Sequence, residues 1–316
     1  MTEASKKEQR PRVPRRALDG VLLLDKPVGL SSNDALIRAK RLYLAKKAGH
    51  TGTLDPLASG LLPLCFGEAT KFSQDLLEAD KTYEATMRLG ITTATGDAEG
   101  EPLEVREVQC TQEQVVHALA RFEGDIVQVP PMYSALKRDG KPLYEYARAG
   151  QTVEREGRPV TIHALEMTAC ALPDVTFRVT CSKGTYIRTL AEDVGAALGC
   201  GAHLIALRRT GVGALTLEHA VTLDTLSDAA EGARDQWLQP VDALLSTFPE
   251  VRLDADATRR FLHGQRLRLA DLAISEAARQ SPRVRVYAAE DARLLGVAKP
   301  GEGVLAPERL VMSAAS

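Results

Sequence analysis

Residues 49–60 read Gly-His-Thr-Gly-Thr-Leu-Asp-Pro-Leu-Ala-Ser-Gly, with a single carboxylate at Asp55. Three glycines, a proline and three hydroxyl side chains crowd around that acid. Glycine tolerates conformations and close backbone approaches that other residues resist, so the segment reads as a tight loop. Asp55 could simply close an Asx-type turn before Pro56. On the loop alone that turn is the better reading, and His50 beside it is ordinarily structural; the alternative is that Asp55 is the reacting carboxylate of an active site. A second stretch has a layout suited to chemistry. Residues 175–181 alternate like a strand and residues 182–185 form a loop. Ile187, Leu190, Ala191, Val194 and Leu198 then recur at helical spacing up to Gly199. Arg188 falls in the first helical turn. The loop and first turn of a strand–loop–helix unit are common places for function, although an isolated arginine there is ordinarily a surface residue.

Other elements must position these residues. Residues 21–25 form a short apolar strand that stops at Lys26-Pro27-Val28-Gly29. Ser31, Ser32 and Asn33 offer helix caps, and a basic helix is predicted to run to about Lys47. Residues 61–66 read as a buried strand, residues 69–77 as a helix and residues 81–89 as a strand. Thr111 and Gln114 make a capping box, with Val115, Leu119 and Phe122 on one helical face. Near residue 248 the character changes. A short helix over residues 257–263 is followed by alternating runs at residues 265–269, 283–287 and 294–299. The expected architecture is therefore a basic arm over residues 1–17, a mixed α/β catalytic domain over 18–247 and a small β-rich domain over 248–316.

Composition narrows the function classes. The chain has 316 residues, 44% hydrophobic and 26% charged, which suits two globular domains. Its apolar runs fall far short of the ~20 residues of a membrane span. The polar, basic N-terminus has no apolar h-region, so no secretory signal is expected. Five cysteines, odd in number and without a Cys-x-x-Cys pair, suggest neither a disulfide framework nor a zinc site. A cytoplasmic location follows. The sequence also lacks a Gly-x-Gly-x-x-Gly fingerprint and a P-loop. Net charge is −2, yet local patches decide phosphate binding. One basic cluster lies in the first sixteen residues. Another, Arg38, Lys40, Arg41, Lys46 and Lys47, immediately precedes the Asp55 loop.

The Asp55 loop resembles the signature motif of the TruB family of tRNA pseudouridine synthases, in which the acid stands in a Gly-Thr-Leu-Asp-Pro context. Further blocks resemble the family in its own order over residues 20–210. They are Gly20-Val21-Leu22-Leu23-Leu24-Asp25-Lys26-Pro27, Lys81-Thr82-Tyr83-Glu84, Pro130-Pro131-Met132-Tyr133-Ser134, Cys181-Ser182-Lys183-Gly184-Thr185-Tyr186-Ile187-Arg188 and Leu207-Arg208-Arg209-Thr210. Gly264-Gln265 and residues 301–310 resemble a PUA domain. The resemblance implies isomerisation of a T-loop uridine of tRNA (tRNA position 55), in which the C–N glycosidic bond is exchanged for C–C. It implies that Asp55 acts on the ribose side, either on C1′ or on a C2′ proton. Tyr83 would stack on the everted uracil with its hydroxyl near C5, Arg188 would pair with Asp55, and His50 would fill the vacated space. Tyr186 and Leu207 would line the uridine pocket. One departure stands out: Thr93-Ala94-Thr95-Gly96-Asp97 has alanine where the family often carries an acid.

An isomerisation exchanges no electrons and needs no group donor, so neither a metal nor an organic cofactor is expected. The expected partner is tRNA, bound by a monomer without membrane, guide RNA or protein partner. Two rival readings remain. A non-catalytic RNA-binding protein on this scaffold need not keep Asp55, Tyr83 and Arg188 together. A guide-RNA-dependent relative would carry longer, lysine-rich termini.

Overall fold

The computed structural model describes residues 14–312. Most of the expected arm, including Lys6, Lys7, Arg10 and Arg12, lies outside the described residues. Arg16 is tied down: its N–H donates to the Leu44 carbonyl at 2.8 Å, and its carbonyl accepts from Lys46 N–H at 3.0 Å.

A mixed sheet of eleven strands forms the catalytic region. Its main path runs Val221–Thr222, Gly20–Lys26, Ala58–Phe66, Ala202–Val212, Lys81–Leu89, Asp174–Cys181, Arg158–Ala171 and Gly124–Gln128. The central strand Ala202–Val212 runs parallel to Ala58–Phe66 and antiparallel to Lys81–Leu89. Strand alternation sorts the core. Leu22, Leu24, Leu62, Leu64 and Phe66 pack under helix Ser32–Leu42 through Ala35 and Ala39. Ala85, Met87, Phe177 and Val179 pack under helices Gln112–Ala120 and Ile187–Ala197. Tyr83 and Leu207 touch both clusters. The junction of these two half-cores is where the candidate site lies.

Two predicted elements are corrected. The basic helix ends at Leu42 rather than near Lys47, because Leu44 adopts a left-handed φ of 50° and the Ala45 N–H turns back to the Lys40 carbonyl at 3.0 Å. Lys46 and Lys47 are exposed on the segment that follows. Residues 69–77 are a 3₁₀ turn, Gly67–Phe72, leading into a short α-helix, Ser73–Leu77. The capping box on the helix Gln112–Ala120 is present as read, with Thr111 and Gln114 each bonding the other's backbone.

The C-terminal region forms a separate five-stranded sheet, ordered Glu250–Leu253, Val284–Ala288, Leu294–Gly301, Val304–Leu310 and Leu267–Arg268. Asp254 caps the helix Ala255–Leu262 by accepting from Ala257 N–H at 2.8 Å. This sheet is not loosely tethered. Val297 is fully buried in one cluster with Val21, Leu23, Leu61 and Phe72 of the larger sheet. Tyr287 Oη donates to Asp242 at 2.6 Å, and Arg283 pairs with both Asp75 and Glu308.

Candidate active site

The Asp55 loop is clamped on both sides. Ser32 Oγ accepts from Leu54 N–H at 2.7 Å and donates to the Leu54 carbonyl at 3.0 Å. Gly29 N–H donates to the Pro56 carbonyl at 2.8 Å. The Lys26–Ser32 block therefore braces the loop through Gly29 and the buried Ser32, while Pro27 and Val28 are exposed. At the other end Gly60 sits at φ +97°, and a Cβ there would lie 2.3 Å from the Arg209 carbonyl. Only glycine permits that approach between the two parallel strands. The Ala58 N–H bonds the Asp55 carbonyl at 3.1 Å, so a local turn does exist. The carboxylate is nonetheless free of that turn and points elsewhere.

It points at Arg188. Arg188 Nη2 lies 3.0 Å from Asp55 Oδ2, and Nη1 lies 3.5 Å from Asp97 Oδ2. The guanidinium also donates to the Thr95 carbonyl at 2.9 Å and the Tyr133 carbonyl at 2.7 Å. Its side chain is 6% exposed and Asp97 is 4% exposed, whereas Asp55 is 42% exposed. A planar fork fixed by a buried acid and two carbonyls thus presents its remaining charge to an accessible carboxylate. Asp97 was not singled out from the sequence as part of the site. Ala94 is exposed, and Asp97 supplies the second acid beside Arg188. Glu99 is held above the ordinary glutamate range by burial, with Asp97 and Asp55 adding to the effect.

Tyr83 approaches from the neighbouring strand. It is half-buried, and burial raises its phenol while the Arg209 guanidinium pulls the other way. His50 stands on a short strand, Ala48–His50, beside the loop, and burial followed by Arg209 lowers its imidazole below 6.5. That direction favours the neutral ring. Tyr186 caps the helix that carries Arg188, its backbone held from both sides by the buried Gln128 at 3.0 and 3.3 Å. Burial raises its phenol, with neighbouring Ser134 and Arg188 pulling the other way. Leu207 is half-buried next to Ala58 and Ala85 on the adjoining strands. Asp55, Tyr83, Arg188, Tyr186 and Leu207 gather around one junction, and His50 lies on the strand beside it, close to Arg209. Among the described residues no three His, Cys, Asp or Glu side chains converge as metal ligands. Arg15, Lys40 and Arg41 line a surface hollow of about 340 Å³ on the basic helix.

A mixed sheet thus carries an accessible acid on a buried arginine, with a tyrosine on a neighbouring strand and a β-rich domain packed against it. Residues 40–187 match the TruB family pseudouridylate synthase N-terminal domain. Residues 188–246 match the tRNA pseudouridylate synthase B C-terminal domain, and residues 249–311 match the pseudouridine synthase II TruB C-terminal domain. The chain belongs to the TruB family. A protein named tRNA pseudouridine synthase B from Burkholderia lata is 78% identical over 315 residues, spanning 100% of this chain and 96% of that one. Its namesake from Cupriavidus pinatubonensis is 66% identical over 304 residues, spanning 95% and 96%. Among solved structures, a Cbf5-Nop10-Gar1 complex matches with 29% identity and a TM-score of 0.73, covering 93% of this chain and 85% of that chain. An H/ACA ribonucleoprotein bound to a substrate RNA containing 2'-deoxyuridine matches with 26% identity and a TM-score of 0.70, covering 93% and 85%.

Proposed function

We propose that this enzyme converts a T-loop uridine of tRNA to pseudouridine, as a cytoplasmic monomer that needs no guide RNA or protein partner. The observation that carries this reading is the Asp55–Arg188 pair at 3.0 Å, solvent-accessible on the acid side and buried on the other. The arginine stays charged and favours the ionised carboxylate, whether Asp55 adds to C1′ or takes a proton from C2′. The uridine must leave its stack to reach that acid. Neutral His50, an aromatic ring beside the loop, fills the gap without introducing a charge into the stack. Tyr83 and Tyr186 then bracket the everted uracil against Leu207. The C1′–N1 bond breaks, the base turns, and C1′–C5 forms. The proton leaves C5, the bonding pair returns to the ring, and N1 takes up a proton.

The exposed bases and phosphates of a structured loop suit recognition by stacking and by the basic helix. A second reading is specifically motivated: solved structures at 26–29% identity are a Cbf5-Nop10-Gar1 complex and an H/ACA ribonucleoprotein bound to a substrate RNA. The relatives at 66–78% identity are named for tRNA, which favours the stand-alone enzyme. The deciding experiment incubates purified protein with unmodified tRNA and no other component, and maps pseudouridine by sequencing. Modification at one T-loop uridine is expected. No pseudouridine without added guide RNA and partner proteins would reverse the choice.

A further inference from the structure

Arg209 is 1% exposed, and among the described residues no carboxylate stands within ion-pair distance of it. Its Nε donates to the Leu61 carbonyl at 2.8 Å and its Nη2 reaches the Gly52 carbonyl at 3.4 Å. Both carbonyls belong to the chain around the Asp55 loop. Lys26 and Lys81 are buried nearby, their ammonium groups bonded only to carbonyls: Pro27 and Leu30 for one, Leu77 and Ala79 for the other. Three buried cations served by neutral carbonyls leave a positive potential under the site. Keeping an unpaired guanidinium out of water is costly and is poor stabilising practice. It makes sense where negative charge arrives during the reaction.

The register says where. Arg209 is the direct cross-strand partner of Tyr83, so the two side chains stand side by side on one face of the sheet. We propose that Arg209 is a positioning residue for Tyr83, fixing its ring and holding a positive charge against the hydroxyl where a phenolate forms. The inference rests on the reading of Tyr83 as the group that receives the C5 proton. In that step Tyr83 first gives its own proton to solvent. The phenolate oxygen then bonds the C5 proton, the C–H electron pair restores the C5–C6 double bond, and the C6–N1 π pair moves onto N1, which takes up a proton. An ordinary phenol, ionising near 10, is rarely a phenolate at neutral pH, and burial makes it rarer still. The groups facing the Tyr83 hydroxyl are Arg209 across the strand pair, Cys181 on the strand beyond and Asp55 on the loop. The last two disfavour the phenolate, and Arg209 is the group among them that favours it.

The test titrates Tyr83 directly, by the difference in phenolate absorbance between the parent and Tyr83→Phe, in Arg209→Met and Arg209→Lys. In Arg209→Met the midpoint should rise by about one pH unit or more. Turnover at neutral pH should fall about tenfold in step with it, with KM for tRNA nearly unchanged. Arg209→Lys should recover most of both shifts. Because Arg209→Met could fail to fold, the parent protein supplies a second measurement. The Arg209 Nε resonance should move as pH passes through the Tyr83 midpoint, and should stay fixed in Tyr83→Phe. An unmoved resonance, or an unmoved midpoint in a folded Arg209 variant, overturns the proposal. The reading beneath it is checked separately by fluorotyrosines at position 83. If turnover ignores their lowered phenol pKa, Tyr83 is not the base, whatever Arg209 does to its titration.

Discussion

Asp55→Asn separates the chemistry of the loop from its architecture. Asn keeps the size of Asp, and the local turn is made by the Asp55 backbone carbonyl, which the substitution leaves in place. The charge is what disappears. At 3.0 Å the attraction to Arg188 is about 5 kcal/mol for an effective dielectric near 20. Water and salt reach the 42% exposed carboxylate and screen much of this, so the expected loss of stability is about 1–2 kcal/mol. Arg188 is not orphaned, since Asp97 and the Thr95 and Tyr133 carbonyls remain. A melting-temperature drop of only a few degrees follows. The expected barrier increase is larger, because Asn offers neither a nucleophilic oxygen nor a base. A loss of about 10⁴-fold in single-turnover rate corresponds to about 5.5 kcal/mol. The assay is release of tritium from the uridine C5 of labelled tRNA, run beside thermal melting and tRNA binding. A folded, tRNA-binding Asn variant that turns over within tenfold of the parent would show that Asp55 only shapes the loop.

Tyr83→Phe keeps the ring against the uracil and removes the hydroxyl, so tRNA affinity should hold within a few fold while tritium release falls about 10²–10⁴-fold; near-parental release would restrict Tyr83 to stacking. Asp97→Asn removes a buried charge from Arg188, and should lower stability by about 2–3 kcal/mol and turnover by about 10²-fold with affinity retained; unchanged melting would remove Asp97 from the ion network. Lys81 is brought down to about 8 by burial, so between pH 8 and 10.5 the unfolded chain holds a proton that the folded chain sheds. Stability of the parent should therefore rise relative to Lys81→Met across that window, and urea unfolding showing the same difference at pH 8 and pH 10 would contradict it. Neutralising Lys46 and Lys47, both exposed, should flatten the salt dependence of tRNA affinity. An identical slope would place the phosphate contacts elsewhere.

Strands whose apolar pattern is strict were legible in the sequence. Gly20–Lys26 and Lys81–Leu89 match their expected runs to within a residue or so, and the capping box located the helix Gln112–Ala120. The strand that joins the site together was not assigned. Ala202–Val212 is rich in helix-compatible Leu, Ala and Arg, follows a helix, and carries bulges at Leu204/Ala206 and Arg209/Gly211 that break the two-residue alternation. Arg158–Ala171 has the same defect, with two register shifts against its partner. The end of the basic helix was missed because a left-handed leucine carries no local sequence signal.

The legible part of the site and the illegible part differ in kind. Asp55, Tyr83 and Arg188 stand in motifs, so their identity shows in the sequence, but their environment does not. Composition makes Arg188, Arg209, Lys26 and Lys81 surface residues, and all four are buried. Arg188 and Arg209 are held by backbone carbonyls that only the assembled sheet and loop bring within reach, whereas Lys26 and Lys81 bond carbonyls within four residues of their own positions. Asp97 likewise meets Arg188 only because its loop bridges to Leu204 on the central strand. Burying four cations at and around the site works against the fold, and a site serving only to bind RNA would gain more from leaving them on the surface. The charge is placed where an acid must stay ionised and where negative charge must gather on a base in the course of a reaction. That placement is the structural reason to expect Asp55→Asn to lose turnover far more than it loses tRNA.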